Sequence, residues 1–182
     1  PADYQALIAT LLRLNRHAGD TMQRFPVRAA TDITGFSLAG HGSELASASG
    51  VRLRIETNKL PLLPGVEQAI AAGCLTRGDK SNRLYAGDRA TIADAVERVR
   101  NHAVFDPQSS GGLLIAVAPT HAAALVTALR DGGDTPATFE HRRKFDPRDV
   151  GARELFARNG RRGMGRAGRH CFLSDAVPDG VP

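Results

Sequence analysis

Two short segments carry residue types that handle phosphate and a divalent cation. The first is Ala30-Thr31-Asp32-Ile33-Thr34-Gly35-Phe36-Ser37-Leu38-Ala39-Gly40-His41. Asp32 falls where a strand would end and a helix begin. A carboxylate there can reach a ligand-bound Mg²⁺, which takes hard oxygen ligands. Thr34 and Gly35 can present a hydroxyl and a backbone N–H at a helix N-terminus, a natural phosphate site. The plainer alternative is that Asp32 or Thr34 only caps the helix. The second segment is Asp106-Pro107-Gln108-Ser109-Ser110-Gly111-Gly112, followed at once by Leu113-Leu114-Ile115-Ala116-Val117. Pro107 fixes φ and removes a donor. Ser109 and Ser110 bond locally to backbone. Gly111 and Gly112 allow positive φ and the close approach of a ligand. Such a turn offers free backbone N–H groups of the sort that hold phosphate. Its plainer alternative is a tight turn with no ligand.

These segments need elements to position them. Leu7, Ile8, Leu11, Leu12 and Leu14 repeat at helical spacing, and Asn15 to Gly19 closes the pattern. Val27 to Thr31 reads as a short strand, and Gly35 to Ser49 as a helix with Leu38, Leu45 and Ala46 inward and Gly50 as its stop. Val51, Leu53 and Ile55 alternate with charged residues, as in a half-buried strand. Pro64 to Ala72 reads as a short helix. Gly73 to Arg89 reads as a polar loop, and Thr91 to His102 as a helix opened by Thr91 with Asp94 three residues on. The apolar run Leu113 to Val117 reads as a buried strand, and Pro119 to Arg130 as a helix. Strands and helices in this alternation predict an α/β layered domain.

After Gly133 the texture changes. Residues 139–182 hold ten Arg or Lys against six acids, so most of the net charge of +5 lies there. The stretch Arg161-Arg162-Gly163-Met164-Gly165-Arg166-Ala167-Gly168-Arg169 has the composition of a disordered segment, and Asp149 to Ala157 is a candidate short helix. The reading is therefore a domain over 1–133 and a basic, poorly ordered tail over 134–182. A pI near 9.9 suits an anionic ligand or a nucleic-acid surface. The Gly/Arg run has no aromatic residue to stack bases, so nucleic acid is not expected as a partner. Cys74 and Cys171 make neither a metal spacing nor a disulfide framework, which points to a reducing, cytoplasmic setting. No apolar run reaches the roughly 20 residues of a membrane helix. A chain that starts with Pro1 is expected to be a piece of something longer.

Taken together, Thr-Asp-Ile-Thr-Gly-Phe-x-Leu-x-Gly-His and, about 75 residues on, Asp-Pro-Gln-x-Ser-Gly-Gly-Leu-Leu resemble selenophosphate synthetase (selenide, water dikinase), and specifically its C-terminal domain. Leu60-Pro61-Leu62-Leu63-Pro64-Gly65-Val66 is similar to the family's proline-bounded segment, and Gly78 to Arg83 falls where the family has a Gly-Gly-Thr-x-x-Asn loop. The resemblance covers residues 5–131. It implies a fold of the aminoimidazole ribonucleotide synthetase C-terminal type, a mixed sheet with packed helices. It also implies an ATP-dependent reaction of selenide and water to selenophosphate, AMP and phosphate, with Mg²⁺, in a cytoplasmic homodimer. Carried over by residue, Asp32 would be a metal carboxylate. Thr34, Gly35, Asn82, Gly111 and Gly112 would line the nucleotide side. His41 is read as packing or bonding on its helix, and Cys74 as no nucleophile.

The family's reactive Cys or selenocysteine, its partner Lys and most of its ATP site belong to an N-terminal domain that this sequence does not contain. The isolated chain is therefore expected to have no dikinase activity. Ser37 stands where the family usually has Gly, and Asp79 and Lys80 replace the second Gly and the Thr of its loop. Two acids near a phosphate repel it unless metal intervenes. Residues 134–182 show no clear alternating run, so the sheet is expected to lack an edge strand. Two other functions stay open on the sequence: a sibling ATP-dependent synthetase, and a non-catalytic interaction module on the same fold.

Overall fold

The run Leu113–Val117 is the central fact of the architecture. In the computed structural model, which describes residues 2–142, 154–157 and 169–175, it forms strand β4. The strands before it are β1 (Ala29–Asp32), β2 (Arg52–Glu56) and β3 (Ala90–Ile92); those after it are β5 (Thr135–Arg142), β6 (Glu154–Ala157) and β7 (Arg169–Asp175). They make one seven-stranded sheet in the order β1-β4-β7-β5-β2-β6-β3. Every pair among the described residues is antiparallel. The layered helix-and-sheet fold is as expected, but its sheet is antiparallel where a mixed one was expected.

Both faces of β4 are covered, which is why it reads as continuous apolar sequence rather than as an alternation. Leu114 and Ala116 belong to one core cluster, with Ile33, Leu38, Ala46, Leu53, Ile55, Phe105 and Phe139. Ile115 and Val117 belong to the other, with Ala18, Leu125, Val126 and Leu129. The first face is covered by α3 (Ser37–Ala48), by α5 (Arg77–Ala86), which follows the short α4 (Val66–Ala71), and by Val104 and Phe105 just after α6 (Arg98–Ala103). The second is covered by α2 (Arg16–Met22) and α7 (Pro119–Asp131). Pro at the first turn opens α7, where its missing N–H costs nothing. Gly133, at φ 81°, turns the chain into β5. There Asp134 is clasped by Arg13 at 3.1 Å and by His17 at 2.7 Å. Gly132 leaves room for that imidazole, since a Cβ would stand 1.7 Å from the ring.

Several sequence expectations give way here. The leucine repeat forms α1 (Ala2–Leu12), but that helix buries no residue, and Leu12 and Leu14 are each 75% exposed. Asn15 to Gly19 does not close the pattern; a new helix, α2, starts at Arg16. The polar stretch 73–89 is largely helical, because Asp79 and Arg83 pair one turn apart on α5. Ala90-Thr91-Ile92 is a strand paired with β6 rather than a helix start; its β-branched residues suit the sheet, and the helix begins only at Arg98. The largest difference lies beyond Gly133. Three strands come from there, and β7 lies between β4 and β5, so the boundary drawn at 133 cuts through the sheet. Residues 154–157 are strand where a helix was considered. The stretch 158–168, with most of the Gly/Arg run, lies outside the described residues.

Candidate functional site

The two motifs meet because β1 pairs antiparallel with β4 and Asp32 stands opposite Leu113. The end of one strand is thereby beside the start of the other. Ile33 N–H donates to the Gly112 carbonyl at 2.9 Å, and Gln108 N–H donates to the Thr34 carbonyl at 3.1 Å. Asn15 Nδ2 donates to the Gly111 carbonyl at 2.8 Å, tying the start of α2 to the same turn. Gly111 is required for this closeness: a Cβ would stand 2.1 Å from the Ile33 carbonyl oxygen. The expected positive φ is at neither Gly111 nor Gly112, so close backbone approach, not left-handed geometry, is what the first of these glycines supplies.

Asp32 ends β1 with its side chain exposed, and Gly35 and Phe36 are exposed just before α3. Much of the N-terminus of α3 is already satisfied within the protein. Ser37 N–H donates to Thr34 O at 2.9 Å, and Ala39 N–H to Val104 O at 2.9 Å. Among the described residues, the N–H groups of Gly35 and Phe36 meet no acceptor, nor do those of Ser109 and Ser110 across the corner. Thr34 Oγ1 lies 3.0 Å from His41 Nε2. Asn82 is buried, and its amide nitrogen donates to Gly35 O at 3.0 Å and Phe105 O at 2.9 Å. It was expected beside the nucleotide; in the structure it ties α5 to the loop before α3 and to the approach of the glycine turn.

No group of three or more His, Cys, Asp or Glu side chains gathers for a metal among the described residues. A single exposed carboxylate at a strand end nevertheless suits Mg²⁺, which is commonly held by one or two carboxylates with phosphates and waters completing its shell. The exposed corner can therefore offer one oxygen ligand to a cation and several N–H donors to the phosphate that accompanies it.

Behind the glycine turn lies a network the sequence reading missed. Arg83 Nε donates to Asp79 Oδ1 at 2.8 Å and Arg83 Nη2 to Asp79 Oδ2 at 3.1 Å. His102 Nδ1 lies 2.9 Å from Asp79 Oδ2, and the guanidinium covers the Phe105 ring at 4.2 Å. Burial works to raise the Asp79 pKa, but the bonds and charges of Arg83 and His102 outweigh it and hold the carboxyl below its ordinary 3.8. The repulsion expected from Asp79 is thus answered inside the protein. Asp106 goes the other way. Its burial, and then the charge of Asp79, raise its pKa, although Thr76 Oγ1 donates to it at 2.8 Å and Gln108 also bonds to it. Gly78 packs on Pro107, where a Cβ would come within 2.4 Å. The i,i+4 spacing of Asp79 and Arg83 was the available signal; nothing in the sequence ties His102 to them. A cavity of about 410 Å³ opens between this wall and α1, lined by Leu7, Leu11, Leu62, Val66, Asp106 and Ser110 among others. Cys74 also borders it, with an exposed, free thiol.

The family described as AIR synthase related protein, C-terminal domain, matches residues 2–138. The chain is 41% identical over 122 residues to the selenide, water dikinase of Nitratidesulfovibrio vulgaris strain Miyazaki F, covering 67% of this chain and 35% of that protein. It is 40% identical over 131 residues to the protein of that name from Burkholderia pseudomallei, covering 71% and 37%. The selenide, water dikinase of Trichlorobacter lovleyi is 43% identical over 116 residues, covering 64% and 33%. The chain thus spans about a third of the length of these curated relatives.

Proposed function

The chain belongs to the AIR synthase related protein C-terminal domain family, and from that premise we propose that it is the C-terminal part of a selenophosphate synthetase. The intact enzyme converts selenide, ATP and water to selenophosphate, AMP and phosphate. The observation that carries this reading is the corner where the two motifs are bonded to each other, Ile33 to Gly112 and Thr34 to Gln108. In it Asp32 would supply one oxygen to Mg²⁺, and the N–H groups around Gly35 and the glycine turn would meet the phosphates. Gly111 and Gly112 shape that turn, and Asn82 holds the loop in place from behind. Positioning and charge neutralisation are what such a corner contributes to phosphoryl transfer. The Mg²⁺ supplies Lewis-acid neutralisation of the phosphate charge when bound.

The reactive nucleophile and the rest of the ATP site come from an N-terminal domain in a cytoplasmic homodimer. The exposed leucines of α1 support such a contact, since an apolar face of this kind marks an interaction surface. Among the described residues no helix is long and apolar enough to cross a membrane. The test is a graft of this chain in place of the matching part of the Nitratidesulfovibrio vulgaris relative. Selenide-dependent AMP formation is expected from the graft, its loss with Asp32→Asn, and none from the chain alone. A graft that folds, binds ATP and makes no AMP overturns the reading.

A further inference from the structure

The two ring nitrogens of His41 face different partners. Nε2 lies 3.0 Å from Thr34 Oγ1, and Nδ1 faces Glu44 Oε2 at 3.5 Å across one turn of α3. The other carboxylate oxygen of Glu44 accepts from the Tyr85 hydroxyl. Phe36 closes the arrangement: it meets the His41 ring edge-on at 5.7 Å and stacks on Tyr85 at 4.5 Å. The His41 side chain is only 12% exposed. A carboxylate cannot donate, and the approach of Glu44 at ion-pair distance favours a proton on the nitrogen that faces it. In the neutral form of the ring the lone pair is then on Nε2, since which nitrogen is protonated is set by the partner of the other. Thr34 has one proton, and it goes to that lone pair.

We infer that Glu44 and His41 are positioning residues that make the Thr34 hydroxyl a pure hydrogen-bond acceptor at the mouth of the corner. A ligand group that meets Thr34 must then be a donor, and on the proposed function that group would be a water in the shell of a divalent cation. The phosphate oxygens, which are acceptors, are left to the N–H groups of Gly35 and Phe36. The class of ligand rests on the proposed function; the orientation of the hydroxyl does not. The arrangement separates two duties that Thr34 and Gly35 would otherwise share, cation shell on one and anion on the other.

The test has a ligand-free arm and a ligand arm. Long-range ¹H–¹⁵N spectra of the labelled chain at about pH 8, above the ordinary imidazole range, read the His41 tautomer directly. The expected result is a protonated Nδ1 and an unprotonated Nε2; a protonated Nε2 overturns the inference. Glu44→Leu is expected to shift the ring toward the other tautomer, and an unchanged spectrum removes Glu44 from the account. In the ligand arm, Thr34→Val is expected to weaken Mn²⁺ binding at least threefold, with Thr34→Ser near wild type and inorganic phosphate binding unmoved. The reverse pattern, phosphate weakened and Mn²⁺ unmoved, contradicts the inference. If the wild type binds Mn²⁺ no better than Asp32→Asn, the cation reading of the corner fails, while the tautomer stands or falls on its own spectrum.

Discussion

Ser37 adopts a φ of 68° while fully buried at the first position of α3. A left-handed backbone costs a residue with a Cβ about 1–2 kcal/mol, and the bond its hydroxyl accepts from Gly40 N–H, at 3.4 Å, is long. Ser37→Gly is therefore expected to raise stability by about 1 kcal/mol in urea unfolding; a less stable variant would show that the hydroxyl matters more than the strain. Gly111 is the opposite case. A methyl there meets backbone rather than a movable side chain, so Gly111→Ala is expected to cost about 2–3 kcal/mol. Both positions stand out in the sequence, Ser37 as a departure from the family's Gly and Gly111 as a point of close approach. Sequence alone does not tell which glycine property is in use. Only the distance to Ile33 separates close approach from positive φ.

At the scale of elements, α5 is held by a charge pair that titrates. Asp79 has a folded pKa below its ordinary 3.8. Its contribution is then present above the unfolded value and is lost as pH falls through the lowered folded one. Asp106, with a raised pKa, contributes below the ordinary value and loses that contribution as pH rises through its folded one. Urea midpoints across about pH 3–7 should therefore fall at the acid end for the wild type and less steeply for Asp79→Asn. Asp106→Asn should gain on the wild type toward neutral pH. An acid slope unchanged by Asp79→Asn would remove this pair from the account. The elements that could be read in advance were those with a local signature. β4 is a short apolar run, and α7 opens on Pro119 and ends at paired glycines. α5 reads as a loop because its composition is polar; the Asp79–Arg83 spacing is a local helical signal, but the burial of Asn82 and Ala86 is set by the tertiary fold. β3 could not be read because three residues become a strand only against β6.

At the scale of the molecule, the sheet interleaves the end of the chain with its beginning. β7 separates β4 from β5, and β6 separates β2 from β3. Such pairing is long-range and leaves little local pattern, which is why the stretch after Gly133 read as a tail. A chain ended at Gly133 would expose the open edge of β4 and lose β5, whose Phe139 is 1% exposed in the core. It is expected to show no cooperative unfolding transition, whereas the full chain should show one; a folded 1–133 fragment would mean that the sheet does not need its late strands.

Asp32 and the glycine turn are proposed to form one cation and phosphate corner. This is tested most directly by adding Mn²⁺ with ATP to the ¹⁵N-labelled chain and mapping the paramagnetic broadening of its amides. Broadening is expected at residues 32–36 and 108–112 together, and its loss with Asp32→Asn. Broadening centred elsewhere, or unchanged in that variant, would contradict it.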